Sequence, residues 1–154
     1  MPFHIVLVEP EIPANTGNIS RTCAATGTIL HLVRPLGFDT DDRTLKRAGL
    51  DYWHSVHIEY HDSFEEVLES YPQGRFFYAS TKAKKPYSQF EYQDGDFFVF
   101  GKETKGLPQE LIDANIETCI RMPMTDTVRS LNLSNSAAII VYEALRQNDF
   151  PGLD

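Results

Sequence analysis

Short apolar runs that alternate with helix signals constrain the fold of this chain more than any other feature. The runs span residues 4–8, 28–34, 75–80, 97–100 and 118–122. Two strands joined through a helix usually pair in parallel, because the helix returns the chain across the sheet. The pattern therefore predicts an α/β fold with a mostly parallel sheet and helices on both faces.

Caps and breakers mark the helices that separate these runs. We predict helices from Asn15, as the cap, to about Ala25, and over 41–48, 62–70, 108–114 and 134–147. Gly27 and Gly49 follow the first two helices, as glycine often does at a helix end. Residues 81–94 are polar and rich in lysine, so we expect a long loop there with at most a small extended piece.

The length of 154 residues suits one domain, 1–154, and the 42% of apolar residues are spread along the whole chain. Residues 1–8 have no cationic leader and only a short apolar run. We therefore expect a cytoplasmic protein with neither a signal peptide nor a membrane span. Cys23 and Cys119 lie far apart in no metal-ligand spacing, which predicts two buried, reduced thiols.

The formal net charge is −8, from 14 Lys and Arg against 22 Asp and Glu, which argues against a non-specific nucleic-acid binder. Many cationic residues nevertheless fall in or beside loops, so an acidic body could carry a local basic face. They are Arg34, Arg43, Lys46, Arg47, Lys82, Lys84, Lys85, Lys102 and Lys105. Tyr52 and Trp53 lie beside part of this set, where they could stack on RNA or tuck under a loop.

Three histidines, His54, His57 and His61, have spacings that could suit a metal ion. Histidines around the alternating Val56 and Ile58 are more typical of a strand and a turn, and no cysteine lies near them. We therefore expect no metal site.

Two glycines frame the loop after the fourth apolar run. Gly101 ends the run and Gly106 closes the loop, a spacing that permits a tight backbone turn open to a ligand. Such a turn is also common without any ligand. Neither G-x-G-x-x-G nor G-x-x-x-x-G-K-[ST] occurs in the chain, which disfavours the nucleotide-binding proteins that use these motifs.

Three segments, 15–21, 100–108 and 121–138, resemble in this order the motifs of the SPOUT-type RNA 2′-O-methyltransferases. The resemblance covers nearly the whole chain and implies adenosylmethionine as methyl donor. Segments 8–13, 47–52 and 92–96 are similar to the small tRNA enzymes of the TrmL type, which methylate the wobble nucleotide, position 34, in the anticodon stem-loop. Lys102, where proline is common, and Trp53 depart from that pattern.

The resemblance implies that the donor lies among three loops. The implied donor contacts are Ala79, Gly101, Met122 and Ser130, and the implied catalytic residues are Arg21, Glu103, Ser130 and Asn132. The matching arginine in these enzymes contacts the acceptor ribose or its phosphate. Because an arginine side chain stays protonated, it suits charge stabilisation better than proton removal.

Two of these motifs carry residues whose part in the site has more than one interpretation. Glu103 could be a solvated loop charge or a group that steadies the donor's sulfonium or the loop itself. Asn15, Ser130 and Asn132 could anchor the motifs through side-chain hydrogen bonds.

The resemblance also implies a deep trefoil knot in the C-terminal half and a homodimer, neither of which periodicity would suggest. The last predicted helix is apolar on more than one face, as expected of a helix at an interface, and Tyr142 is a candidate contact. A dimer would join two basic faces for tRNA. Two other functions stay open, namely a non-catalytic RNA-binding or ribosome-associated module of the same fold, and an unrelated nucleotide-binding protein.

Overall fold

Seven parallel strands form one sheet in this computed structural model, which describes residues 1–49 and 52–154. The strands are β1 (His4–Val8), β2 (Ile29–Val33), β3 (Ile58–His61), β4 (Phe76–Ala79), β5 (Lys85–Pro86), β6 (Phe97–Phe100) and β7 (Cys119–Arg121). Their order is β3-β2-β1-β6-β4-β7-β5, and each strand pairing is parallel. The predicted α/β fold is confirmed, and β5 is the small extended piece expected within the 81–94 loop.

Five α-helices accompany these strands in the described part of the chain, four of them between strands and the fifth after β7. They are α1 (Pro13–Thr26), α2 (Arg43–Gly49), α3 (Phe64–Ser70), α4 (Gln109–Ala114) and α5 (Leu133–Gln147). Each lies within two residues of its predicted bounds, while Leu50 and Asp51, part of the 47–52 segment, lie outside the described residues. Among the helices described, none has the length and apolar content needed to cross a membrane.

The start of α1 differs from the prediction in an informative way. The helix begins at Pro13, two residues before the expected cap at Asn15, and the Ile12 side chain makes no capping hydrogen bond. Proline suits the first helical position, because its fixed φ is already helical and its missing N–H would have no helical partner there. Asn15 therefore lies inside the first turn, where its buried side chain is available for distant partners.

Side chains of each central strand alternate between two apolar layers. Ile5 and Leu7 of β1 pack with residues of α1 and α5, whereas Val6 and Val8 pack with residues of α3 and α4. This alternation follows from the two-residue period of a strand. The predicted covering of both sheet faces is therefore confirmed, and the two layers hold the strand ends in fixed positions.

Helix α2 packs closely on α1 at Gly17, where an added Cβ would lie 2.8 Å from the Cβ of Ala48. The cationic side chains of Arg43, Lys46 and Arg47 on α2 are exposed. Trp53 packs partly buried against the core, whereas Tyr52 is 45% exposed. Trp53 therefore packs against the core, and Tyr52 is the member of the aromatic pair that lies on the surface.

Three histidines form a hydrogen-bonded row beneath α3. His4 Nδ1 lies 2.8 Å from His31 Nε2, and His31 Nδ1 lies 3.0 Å from His61 Nε2. Burial lowers the pKa of His4 to about 4 and that of His31 to about 3, since desolvation disfavours the charged imidazole. Both rings are therefore neutral at neutral pH.

These neutral histidines make the fold sensitive to acid. Between about pH 4 and the ordinary pKa of 6.5, the unfolded chain binds protons at His4 and His31 that the folded chain does not, so the free energy of unfolding falls as pH falls. The slope is at most about 1.4 kcal/mol per pH unit for each histidine. Urea unfolding across this window measures it.

His4→Phe is expected to reduce this slope, because phenylalanine can stack on Phe97 without binding a proton. His54→Gln is the matched control, since His54 is exposed and lies outside the row. An unchanged slope in His4→Phe would contradict the interpretation.

Candidate active site

A cleft of about 510 Å³ opens where the carboxyl ends of β4, β6 and β7 meet. Three loops line it, 79–82, 100–107 and 120–133, together with Ile12, Asn15 and Ser136. We call it the three-loop cleft. Ligands of parallel α/β sheets bind at the carboxyl ends of strands, and the volume lies in the range of small-molecule sites.

Most of the site residues implied by the resemblance lie at this cleft. The lining includes Ala79, Gly101, Glu103, Met122, Ser130 and Asn132. Arg21 is the exception, because it is exposed on α1 and does not line the cleft of its own chain. The fold therefore brings together six of the seven residues from three distant parts of the sequence.

Gly101 is required by the loop's own backbone. The loop closes through a hydrogen bond from the Gly106 N–H to the Lys102 carbonyl, 2.8 Å long, and Gly106 has a φ of 68°. A Cβ on Gly101 would overlap the backbone of Gly106 and Leu107. Glycine at 101 thus permits the loop to fold back on the end of β6. The structure therefore requires glycine at this position for loop closure, whereas the sequence suggested only a turn open to a ligand.

Glu103 holds the segment that leads into α1. Its Oε1 accepts a hydrogen bond from the Glu11 N–H at 2.8 Å, and its Oε2 accepts one from the Ile12 N–H at 3.0 Å. A negative charge at a helix N-terminus is also favoured by the helix dipole. The carboxylate is therefore an anchor between the 100–107 loop and α1.

Asn15 extends this anchor to the third loop. Its Nδ2 donates to Glu103 Oε2 at 3.2 Å, and its Oδ1 accepts from Asn132 Nδ2 at 3.1 Å. Asn132 Oδ1 in turn accepts from the N–H of Ser134 at 2.9 Å and so caps α5. We call Glu103, Asn15 and Asn132 the carboxamide bridge. It links the starts of two helices to the 100–107 loop.

Two further contacts between 9–11 and 102–104 reinforce the bridge. Glu11 Oε1 accepts hydrogen bonds from the Thr104 N–H at 3.0 Å and hydroxyl at 2.7 Å, and Lys102 Nζ lies 3.4 Å from Glu9 Oε1. The hydrogen bonds from Thr104 hold the pKa of Glu11 below its usual value. Partners more than 90 positions apart leave no signal in a local pattern, so sequence reasoning missed these contacts.

Cationic and apolar side chains share the cleft. Lys82, Lys105 and Arg129 line it beside Leu107 and Ile120. The apolar residues could pack on a flat ring, and the cations could attract a polyanion. Sequence reasoning placed Lys82 and Lys105 in loops, and it missed Arg129 as a lining residue although this arginine lies within the third motif.

Neither cysteine of the chain belongs to this site. Both are buried and unpaired with each other, as predicted. Burial raises the pKa of Cys23 to about 12 and raises that of Cys119 as well, so both are protonated thiols. The cleft therefore has no thiolate nucleophile.

The structure does not bring together the three histidines whose spacing could suit a metal ion. His54 and His57 are exposed, whereas His61 is buried beside His31 and near Glu59. Parallel pairing of β2 with β3, with His31 opposite Glu59, produces this different set.

The sequence of this chain matches a family of RNA-modifying enzymes. A model described as the SpoU rRNA Methylase family matches residues 2–142. The chain belongs to this family, and the resemblance to RNA methyltransferases is confirmed.

Similar proteins carry more particular names. A Bacillus subtilis (strain 168) protein with the provisional name tRNA (cytidine(34)-2′-O)-methyltransferase is 61% identical, and the match covers 98% of this chain and 96% of that one. The Escherichia coli (strain K12) protein of that name is 49% identical, with 97% and 96% covered. A solved structure described as "Structural insights into the 2-OH methylation of C/U34 on tRNA" has a TM-score of 0.91 at 44% identity, and 96% of each chain is covered.

A more distant structure shares the fold alone. The SpoU methyltransferase AviRb from Streptomyces viridochromogenes, described as a complex with the cofactor AdoMet, matches with a TM-score of 0.85 at 23% identity. The match covers 95% of this chain and 57% of that one.

Proposed function

We propose that this protein transfers a methyl group from adenosylmethionine to the ribose 2′-oxygen of the wobble nucleotide, cytidine or uridine 34, in the anticodon stem-loop of tRNA. The observation that carries the proposal is that the three segments resembling methyltransferase motifs converge on one cleft in a chain similar over its whole length to enzymes named for this reaction. We take 1–154 as one catalytic domain that acts in the cytoplasm.

The three-loop cleft fits the proposed donor. An adenine ring needs apolar walls and backbone groups at its edge, and the cleft offers Leu107 and Ile120 beside the exposed backbone of the 100–107 loop. Ala79, Gly101, Met122 and Ser130 are the proposed donor contacts. Gly101 acts by letting the loop close, which places the Gly106 and Leu107 backbone at the cleft wall.

Adenosylmethionine, when bound, would supply an electrophilic methyl group to the ribose 2′-oxygen, which would leave adenosylhomocysteine and release the hydroxyl proton to water. The protein's contribution is to hold the two reactants in line. We propose that the carboxamide bridge does this by fixing the loops, and that Glu103 is a positioning residue because both its oxygens already accept hydrogen bonds from the segment that leads into α1.

Arg21 is proposed to stabilise the developing charge on the 2′-oxygen. Since Arg21 does not line the cleft of its own chain, we propose a homodimer in which the partner supplies it. Exposed apolar side chains on α5, Ile139 at 39% and Tyr142 at 44% exposure, support an interface there. A dimer would also join two sets of cleft cations for tRNA.

The arrangement of the last elements supports a proposal of a trefoil knot. Strand β7 pairs with β4 on one side and with β5 on the other, although β5 follows β4 directly in the chain. The segment that leaves β5 meets the end of α5, where the Tyr92 N–H donates to Gln147 Oε1 at 2.9 Å. We propose that β7 and α5 pass through the loop of residues 80–96, which chain tracing in a crystal structure would test.

The non-catalytic alternative is disfavoured, because the residues proposed for the donor site lie together at the cleft. An unrelated nucleotide-binding protein is excluded by membership of the family.

Arg21→Ala is expected to lower methyl transfer at least about 100-fold while leaving adenosylhomocysteine affinity unchanged, since the proposed contact is with RNA and the transition state. Arg21→Lys keeps the charge but loses the planar fork, so it should recover only part of the rate. Mapping ribose methylation of unmodified and cell-derived tRNA by mass spectrometry tests the reaction. Base methylation would refute the chemistry, and ribose methylation at another position would refute the target.

Mixing two inactive variants tests the partner's role. Arg21→Ala keeps its cleft, and Gly101→Val keeps its arginine, so a mixed dimer has one complete site. Random re-pairing should restore about a quarter of the parent activity. Sedimentation should show dimers for both variants, and dimers that exchange without recovered activity would contradict the sharing of Arg21 between subunits.

A further inference from the structure

Three side-chain atoms that can each bind a metal ion converge on the sheet face that α3 covers, away from the three-loop cleft. His31 Nδ1 lies 3.0 Å from His61 Nε2 and 3.6 Å from Glu59 Oε1, and His61 Nε2 lies 3.9 Å from the same oxygen. His31 and His61 are buried, whereas the Glu59 side chain is 28% exposed. The triangle is thus closed towards the core and open towards solvent.

We propose that His31, Glu59 and His61 form a binding site for Zn²⁺. In a tetrahedral zinc site with bonds of about 2.0–2.1 Å, neighbouring ligand atoms lie about 3.3–3.4 Å apart. The three observed distances bracket this value, so a zinc ion fits with shifts of a few tenths of an ångström at each atom. Three protein ligands and a water form a common zinc arrangement, and imidazole nitrogens favour zinc over Mg²⁺ or Ca²⁺.

Neighbouring side chains hold two of the three ligands, His31 and Glu59, and His57 Nε2 lies 3.0 Å from Glu59 Oε2. His4 Nδ1 lies 2.8 Å from His31 Nε2, and the Tyr71 hydroxyl donates to Glu59 at 2.8 and 2.9 Å. Zinc-binding histidines usually donate the other ring N–H to such a partner, which fixes the tautomer. With its proton on Nε2, His31 presents the Nδ1 lone pair to the metal. His61 presents Nε2 when its own proton lies on Nδ1.

The separation of Glu59 Oε1 from the His31 and His61 rings leaves room for a cation between them, while Oε2 is held by His57 and Tyr71. At 3.6 and 3.9 Å, Glu59 Oε1 is too far from either imidazole for a good hydrogen bond. A divalent ion at the centre would bind all three atoms and replace the hydrogen bond between His31 and His61. The proton of that hydrogen bond, which His61 Nε2 carries when His31 Nε2 donates to His4, would have to move to His61 Nδ1.

Such an ion would stabilise the structure rather than take part in methyl transfer. It would join β2 to the edge strand β3, and through Tyr71 to the end of α3, while no residue of the triangle lines the three-loop cleft. Zinc binding is therefore expected to raise the melting temperature, because the folded state alone presents the site.

The test is calorimetric titration of the untagged, full-length chain with Zn²⁺, and with Mg²⁺ as the comparison ion. The parent should bind one zinc ion, and His61→Gln and Glu59→Gln should each bind it at least about tenfold more weakly. His54→Gln should bind as the parent does. Cobalt should give the intense visible bands of a tetrahedral site in the parent and lose them in His61→Gln.

Melting curves recorded with a chelator present establish whether each variant is folded. If His61→Gln does not fold, zinc binding by Glu59→Gln is the test, because glutamine can still accept a hydrogen bond from Tyr71. The proposal is overturned if the parent binds no zinc, if a folded Glu59→Gln binds it as tightly as the parent, or if His54→Gln is weakened as much as His61→Gln. A weak, octahedral cobalt spectrum would also overturn it.

Discussion

The cleft depends on one carboxylate and two carboxamides that join segments distant in sequence. Glu103 holds the segment that leads into α1, Asn15 connects Glu103 to Asn132, and Asn132 caps α5. Each bond alone contributes about 0.5–1.5 kcal/mol, or more where it involves the charged group. Their structural effect is larger, because together they set the spacing of the loops that line the cleft.

This arrangement explains how a small acidic protein can be adapted to RNA. The sheet supplies rigid strand ends, and the loops beyond them carry Lys82, Lys105 and Arg129 at the cleft. A net charge of −8 keeps non-specific attraction low, so the proposed binding depends on a local set of cations and on a second copy of the chain. Specific recognition of an unpaired nucleotide would then require shape and positioning more than total charge.

Local pattern predicted most of the secondary structure. Strand β6 matched residue for residue, because four consecutive apolar residues lie between turn signals, and Gly27 ended α1 as expected. The pattern failed where two local signals competed, since Asn15 was an expected cap but Pro13 begins the helix. The pattern did not indicate the contact between His31 and His61, because strand pairing, which sequence spacing does not encode, produces it.

The sequence also predicted part of the candidate site. Glycine spacing and the resemblance indicated the loops, and six of the seven implied residues line the cleft. The link from Glu103 to Asn15 spans 88 positions, so only the folded chain reveals that this carboxylate is an anchor. Arg21 lies outside the cleft of its own chain. No local pattern could indicate that it contributes to the cleft of a partner subunit, as we propose.

The most direct test of the carboxamide bridge is the affinity of adenosylhomocysteine for Asn15→Asp, measured by calorimetry beside Asn18→Asp. Both variants add one negative charge to α1. Only the change at position 15 places a carboxylate against Glu103 and removes the donated hydrogen bond, whereas Asn18 is exposed. The account predicts binding at least about tenfold weaker for Asn15→Asp, equivalent to about 1.4 kcal/mol, and near-parent binding for Asn18→Asp. Equal affinities in the two variants would contradict it.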